Sequence, residues 1–363
     1  MPPRKTSMCQ PHQARQWPGG ITKINVEDAV GTHLAHDITE IRPGEFKGAS
    51  FRRGHRVREQ DVCRLMRLGK RHLYILDLKD DQVHEDDAVL ELAPALAGPG
   101  ISFDREPREG KLHLTAAYPG LLKVNVAALV DFNLIPDVMC AALHDNVPVN
   151  QGQIVAGTRA IPLVIAREEL DRAVAMATAR GPIFRVKAYC RRKVRLVITG
   201  NEVYDGLIED RFAAIVQAKL AAFGLSLLET VIVPDDVQQI ADTVGRMAAA
   251  DTDLIITTGG MSVDPDDVTR HGIRLAGVDT LHYGAAVLPG AMFLLAYRGD
   301  LPIMGMPACG LYHRTTVFDL VLPRLLAGER LDNRDLAAFA AGGLCLNCVT
   351  CRYPACPMGK VER

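Results

Sequence analysis

Apolar positions in the second half of the chain fall into two kinds of run. Val194–Thr199, Ser226–Val233 and Leu254–Thr258 are short and nearly continuous. Between them lie longer stretches in which apolar residues recur every three or four positions. Phe212, Ile215, Val216, Leu220 and Phe223 predict one face of a helix over Asp210–Phe223. Val237, Ile240, Val244 and Met247 predict another over Val237–Met247. Met292–Tyr297 and Leu301–Met304 predict a closing hairpin, and Leu311–Leu326 a last helix. Continuous strands alternating with helices predict an α/β fold, a doubly wound and mainly parallel sheet covered on both faces.

The first half is less regular. Asn25 followed by Asp28 predicts a helix start, with an extended segment near Leu34–Ile41 behind it. Asp61–Leu68 reads as a helix and His72–Leu76 as a strand. Leu96–Gly110, with Gly98-Pro99-Gly100 and Pro107, reads as a linker. Asn125–Phe132, Asp137–His144 and Arg167–Thr178 read as helices, and Gln153–Ile165 as strand. The expected organisation is therefore a disordered segment 1–20, smaller α+β regions at 21–98 and 99–189, the α/β domain at 190–330 and a Cys-rich tail at 331–363.

Composition narrows the class. A chain of 363 residues with 48% hydrophobic and 23% charged residues is ordinary for a globular protein. A net charge of −1 argues against nucleic acid or an anionic membrane as a partner, although 42–71 is rich in Arg and Lys. That stretch is either a solvated face or an anion-contacting patch. The longest apolar run, Ala285–Ala296, is interrupted by Pro289-Gly290 and is too short to span a bilayer. Met1-Pro-Pro-Arg-Lys has no apolar stretch behind it, so no secretory signal is expected. Nine cysteines, five of them scattered singly, fit a reducing cytoplasm.

Candidate chemistry gathers at strand ends. Strand one runs into Thr199-Gly-Asn-Glu-Val-Tyr-Asp-Gly206, strand two into Pro234-Asp-Asp236, and strand three into Thr257-Thr-Gly-Gly-Met-Ser262. Leu301–Met304 runs into Gly305-Met-Pro-Ala-Cys-Gly310. In an open α/β sheet this carboxyl edge carries the ligand crevice. Glycines at 259 and 260 would let backbone approach an anion closely. The loop is neither a Walker A nor a G-x-G-x-x-G motif. Glu202, Asp235, Asp236, Asp264, Asp266 and Asp267 also fall on these loops. They read either as helix caps or as carboxylates holding Mg2+ between themselves and a phosphate.

The order of Thr-Gly-Asn-Glu, Pro-Asp-Asp, Thr-Gly-Gly-Met-Ser with Asp267, Pro289-Gly290 and Gly-Met-Pro, over about 190–330, resembles the molybdopterin-binding domain. Glu27-Asp-Ala-Val-Gly-Thr-His-Leu-Ala-His-Asp37 resembles the start of the molybdopterin molybdenumtransferases, the molybdenum insertases that include the C-terminal part of gephyrin. The resemblance implies binding of molybdopterin or adenylated molybdopterin, acceptance of molybdate and release of AMP. It puts Glu202, Asp235 and Asp267 on catalytic positions handling Mg2+ and molybdate. It puts Thr199, Gly200, Thr258, Gly259, Gly260, Ser262, Pro289, Gly290 and Pro307 on substrate-binding loops, and it implies a homodimer. Four departures are Asp264 in place of a usual glycine, Ala291 in place of a usual lysine, Pro307-Ala-Cys-Gly310 in place of a usual Pro-Gly-Asn-Pro, and no recognisable Ser-rich, Asp-Gly loop in the N-terminal region. The lost lysine and lost loop favour a second reading, a non-catalytic carrier or sensor that delivers cofactor to an apo-molybdoenzyme, while Glu202, Asp235 and Asp267 favour the first. A nucleotide-cleaving relative acting on a pyridine dinucleotide is a third.

Cys345, Cys348, Cys351 and Cys356 stand apart from that resemblance. Four thiolates within twelve residues, with Pro357 after the last, read as a metal site. The spacing lies near a bacterial ferredoxin run, with one extra residue in the final gap. It also suits a tetrahedral zinc site of four cysteines, so iron–sulfur cluster and Zn2+ both remain open.

Overall fold

The computed structural model describes residues 21–360 except 43, 77, 262, 263, 265 and 266. The expected disordered segment 1–20 lies outside the described residues.

The N-terminal region is a small α+β unit. Strands Ile21–Asn25 and His72–Leu76 pair antiparallel, and Ile38–Arg42 pairs with Phe46–Phe51. Helix Glu59–Arg67 covers a core of Val26, Leu34, Ile38, Phe51, Leu65 and Leu73. The expected helix after Asn25 is a single 3-10 turn, Glu27–Ala29. Asn25 ends the strand instead, paired with His72, and its side chain donates to the Asp28 carboxylate at 2.9 Å rather than capping backbone.

The middle region has its own core, and helix Glu85–Leu96 is the centre of it: Val89, Leu92 and Leu96 pack with Leu114, Phe132 and Phe184. Residues 83–96, grouped by sequence with the N-terminal region, thus share a core with 112–186. Within the expected linker, Ile101–Phe103 is a short strand at the edge of a four-stranded sheet. One expected helix is a strand. Val138–Ala142, inside Asp137–His144, pairs antiparallel with Ile154–Ala160. Pro136 and a left-handed Asp137 reverse the chain, and the Asn133 side chain bonds both backbone groups of Cys140. Alternate Val138 and Cys140 are then buried, a strand's pattern rather than a helix's.

The α/β region is numbered here on its own: β1 (Val194–Thr199), α1 (Asn201–Tyr204), α2 (Phe212–Ala221), β2 (Leu227–Val233), α3 (Val237–Ala249), β3 (Leu254–Thr258), α4 (Thr269–Leu275), β4 (Thr280–Tyr283), β5 (Leu294–Arg298), β6 (Leu301–Met306), α5 (Val317–Leu326) and α6 (Asn333–Ala338). The sheet order is β2-β1-β3-β6-β5-β4. β1 pairs parallel with β2 and β3, and β3 with β6; β5 runs antiparallel to both its neighbours. Side chains leave β1 to opposite faces. Val194, Leu196 and Ile198 meet Val216 and Leu220 of α2 and the apolar side of α5. Val197 meets Ile240 and Val244 of α3 and Ile273 of α4. The mainly parallel, doubly wound sheet is thus covered on both faces, as its continuous apolar strands require. The last helix begins at Val317, not Leu311, because Thr316 caps it through Phe318 N (3.2 Å) and Asp319 reaches back to Thr316 N (2.8 Å).

The chain then returns across the domain. Leu336, Phe339 and Met358 enter the α2–α5 core. Leu288 N donates to Gly343 O and Cys345 N to Leu288 O, a short parallel pairing of the tail with the loop after β4. No helix among the described residues is long and apolar enough to cross a membrane.

Candidate functional site

After β1 the chain moves outward to β2, and then back past β1 to β3. The connections therefore leave β1 and β3 in opposite directions at their carboxyl ends, which opens a crevice between them. A cleft of about 910 Å3 lies there.

The loop after β3 must bend sharply to open it. Gly259 has φ +85°, and a Cβ there would stand 2.0 Å from Thr199 O. Only glycine lets the β1 and β3 ends approach this closely. Thr199 completes the junction: its hydroxyl donates to Thr258 O at 3.2 Å and accepts from the Thr269 hydroxyl at 2.7 Å. Thr257 and Thr258 have buried hydroxyls with no hydrogen-bond partner among the described residues. On the far wall the Leu288–Pro289 peptide is cis, and Gly290, at φ +123°, lies against α5, where a Cβ would meet Val317 Cγ1 at 2.6 Å.

Thr199, Gly259, Gly260, Pro289, Gly290 and Pro307 line the cleft, as do Glu202 and Asp267. Gly200, Thr258 and Asp235 are not among its lining residues. Ser262 lies outside the described residues. Asp235 has a clear local role. Asn201 N donates to its Oδ2 at 2.9 Å, and Asp235 N donates to Asn201 Oδ1 at 3.0 Å. This reciprocal pair staples the β2 loop to the start of α1, the turn that carries Glu202. Asp236 is the N-cap of α3, accepting from Gln239 N at 2.7 Å. Asp267 folds back on its own loop, accepting from Asp264 N at 3.1 Å, while Asp267 N donates to Asp264 O at 3.0 Å.

Several lining residues carry no strong mark in the sequence. Arg211 is the sole cation among the described residues of the lining. It stands directly after Asp210, whose carboxylate caps α2 through Phe212 N (2.8 Å) and Ala213 N (2.9 Å). That cap signal, ahead of a periodic apolar run, would have located Arg211 on the same sheet edge as the other loops. Met261, Leu288, Met292 and Tyr312 make the walls apolar. Cys309 also lines the cleft, and burial pushes its thiol up, which keeps it protonated near neutrality.

Glu202, Glu209, Asp210, Asp264 and Asp267 outnumber that one guanidinium, so an anionic ligand would need a cation with it. Among the described residues no three His, Cys, Asp or Glu side chains converge closely enough to hold an ion alone. One or two carboxylates of the lining, with ligand phosphates and water, would be the donors left to a Mg2+ ion there.

A second cavity of about 310 Å3 adjoins the cleft, and Cys345, Cys348, Cys351 and Cys356 all line it. Asn347 N points to Cys345 Sγ at 3.5 Å, and the Thr315 hydroxyl lies 3.2 Å from Cys351 Sγ. Tyr312, 83% exposed, borders both this cavity and the cleft.

Comparison with known proteins falls on the same part of the chain. Residues 195–327 match the family model described as the probable molybdopterin binding domain, and residues 23–77 match a domain of unknown function. A protein of Archaeoglobus fulgidus is 37% identical over 81 residues, covering 22% of this chain and 35% of that protein. A CinA-like protein of Thermomicrobium roseum is 35% identical over 100 residues, covering 28% and 24%. The chain thus spans about a third or less of the length of these curated relatives. Among solved structures, the molybdopterin biosynthesis enzyme MoaB of Thermus thermophilus aligns at 21% identity with a TM-score of 0.33, over 38% of this chain and 98% of that one. The CinA protein of Thermoplasma acidophilum aligns at 16% with 0.34, over 37% and 98%.

Proposed function

We propose that the cleft at the β1–β3 switch point binds molybdopterin or its adenylated form, and that the chain finishes molybdenum cofactor by inserting molybdate with release of AMP. The observation that carries this reading is a coincidence of position. The stretch matching the molybdopterin-binding model, 195–327, is the stretch whose strand ends build the cleft. Thr199, Gly259 and Gly260 offer a close backbone approach for a phosphate, while Leu288, Met292 and Tyr312 offer apolar faces for a flat ring. Mg2+ held by Glu202 and Asp267 would neutralise phosphate charge at the bond to be cut. Asp235 acts through the staple that holds the Glu202 turn. Arg211, which lines the cleft, would add the one protein cation among the described residues of the lining to the charge that offsets the anion.

A carrier or sensor is the second reading, favoured by one observation: a single guanidinium stands among five carboxylates, with Ala291 where the resembling family has lysine. Adding adenylated molybdopterin, Mg2+ and molybdate to the purified chain and following AMP separates the two. Molybdate-dependent AMP release, reduced about a hundredfold by Asp267→Asn with pterin affinity kept, is expected of the insertase. Tight binding without release identifies the carrier, and binding of a pyridine dinucleotide in preference to pterin removes both.

A further inference from the structure

Cys345, Cys348, Cys351 and Cys356 all line one surface pocket. A zinc ion with bonds of about 2.3 Å draws its sulfurs almost into contact and leaves no space inside the set. The pocket of about 310 Å3 that the four cysteines line opens to solvent and leaves room beside them for an inorganic core. An iron–sulfur cluster puts iron and sulfide between its cysteines and therefore needs thiols that surround a space rather than a point. The chain order agrees: Cys345, Cys348 and Cys351 are evenly spaced and Cys356-Pro357 follows after four residues, near the ferredoxin run. Left-handed Asn347, at φ +49°, turns its own N–H toward Cys345 Sγ, the donor that a cluster-bound thiolate accepts. Leu344, Leu346 and Val349 give the rim an apolar cover.

The same segment builds the neighbouring cleft. Cys345 N bonds Leu288 O at 2.8 Å and Leu288 N bonds Gly343 O at 2.9 Å, so a cysteine of the pocket is locked in register with the residue before Pro289-Gly290. We propose that Cys345, Cys348, Cys351 and Cys356 enclose one iron–sulfur cluster, and that its assembly fixes the Leu288–Gly290 wall of the cleft. The proposal does not rest on what the cleft binds.

The test uses the full chain, purified without oxygen and then loaded with ferric iron and sulfide in excess thiol, which supplies the electrons that bring four ferric irons to the mixed-valent cluster. About four iron and four sulfide per chain are expected, with the broad visible absorption of a cluster. Cys348→Ser is expected to lose both, and Cys190→Ser, at an exposed cysteine outside the tail, to keep them. Amides of 286–292 are expected to exchange about tenfold more slowly after loading. One zinc per chain without sulfide, or no metal at all, overturns the cluster even if the Cys348 variant fails to fold. Unchanged exchange at 286–292 in a loaded chain overturns its hold on the cleft.

Discussion

At the scale of single residues the cleft depends on places where one side chain type fits. Gly259 is the clearest. Alanine there would bring a methyl to 2.0 Å from Thr199 O and would also hold a strained positive φ. Gly259→Ala is expected to destabilise the fold by about 1–3 kcal/mol or more and to weaken ligand binding in the cleft, read by urea denaturation alongside titration with the pterin. These glycines are visible in the sequence because a Gly-Gly pair after an apolar strand marks backbone that bends where a side chain would not fit. The two acidic roles are not separable there. Asp235 and Asp267 look alike in the chain, but one carboxylate staples two loops and the other folds onto its own turn beside the cleft. Tyr312 is equally hidden, since nothing in Gly-Leu-Tyr-His-Arg marks the residue that borders both the cleft and the cysteine-lined cavity.

Elements are legible where local and tertiary forces agree. His72–Leu76, Val194–Thr199 and Leu254–Thr258 are strands at the expected bounds because apolar runs of that length favour extended, buried pairing. Val138–Ala142 goes the other way: Val-Met-Cys-Ala-Ala has no strong local preference, and pairing with Ile154–Ala160 decides it. Helix Glu85–Leu96 is hard to see in the sequence, its pattern blurred by Pro94 and the glycines that follow. Helix termini show how capping and function share the acidic loops. Asp236→Ala removes the cap of α3 and should cost about 1 kcal/mol of stability, seen as a lower denaturation midpoint, with cleft binding unchanged because Asp236 does not line the cleft.

At the scale of the whole molecule, one carboxylate joins two regions. Glu329, just beyond α5, meets Arg324 at 2.8 Å and, across the boundary, Lys123 at 2.9 Å and Lys187 at 3.6 Å. Burial pushes its carboxyl up, but hydrogen bonds and charge from Lys123 and Arg324 outweigh this and hold it down at about 2, against an ordinary 4.5. A depressed carboxylate stabilises the fold above its unfolded value and loses that stabilisation as pH falls toward its folded one. Glu329→Gln should therefore cost roughly 3 kcal/mol at pH 7, and the gap to the parent chain should close between about pH 4.5 and pH 2. Such long-range ties are invisible in sequence, because Lys123 and Glu329 carry no mark of each other. The pairing of Leu288 with Leu344 belongs to the same class and bears on time as well as space. A ribosome delivers Leu288 and the whole sheet before the segment that pins Leu288 down, so the cleft is finished last. A nascent or clipped chain that stops short of Leu344 has a complete sheet but lacks the two backbone bonds that hold Leu288.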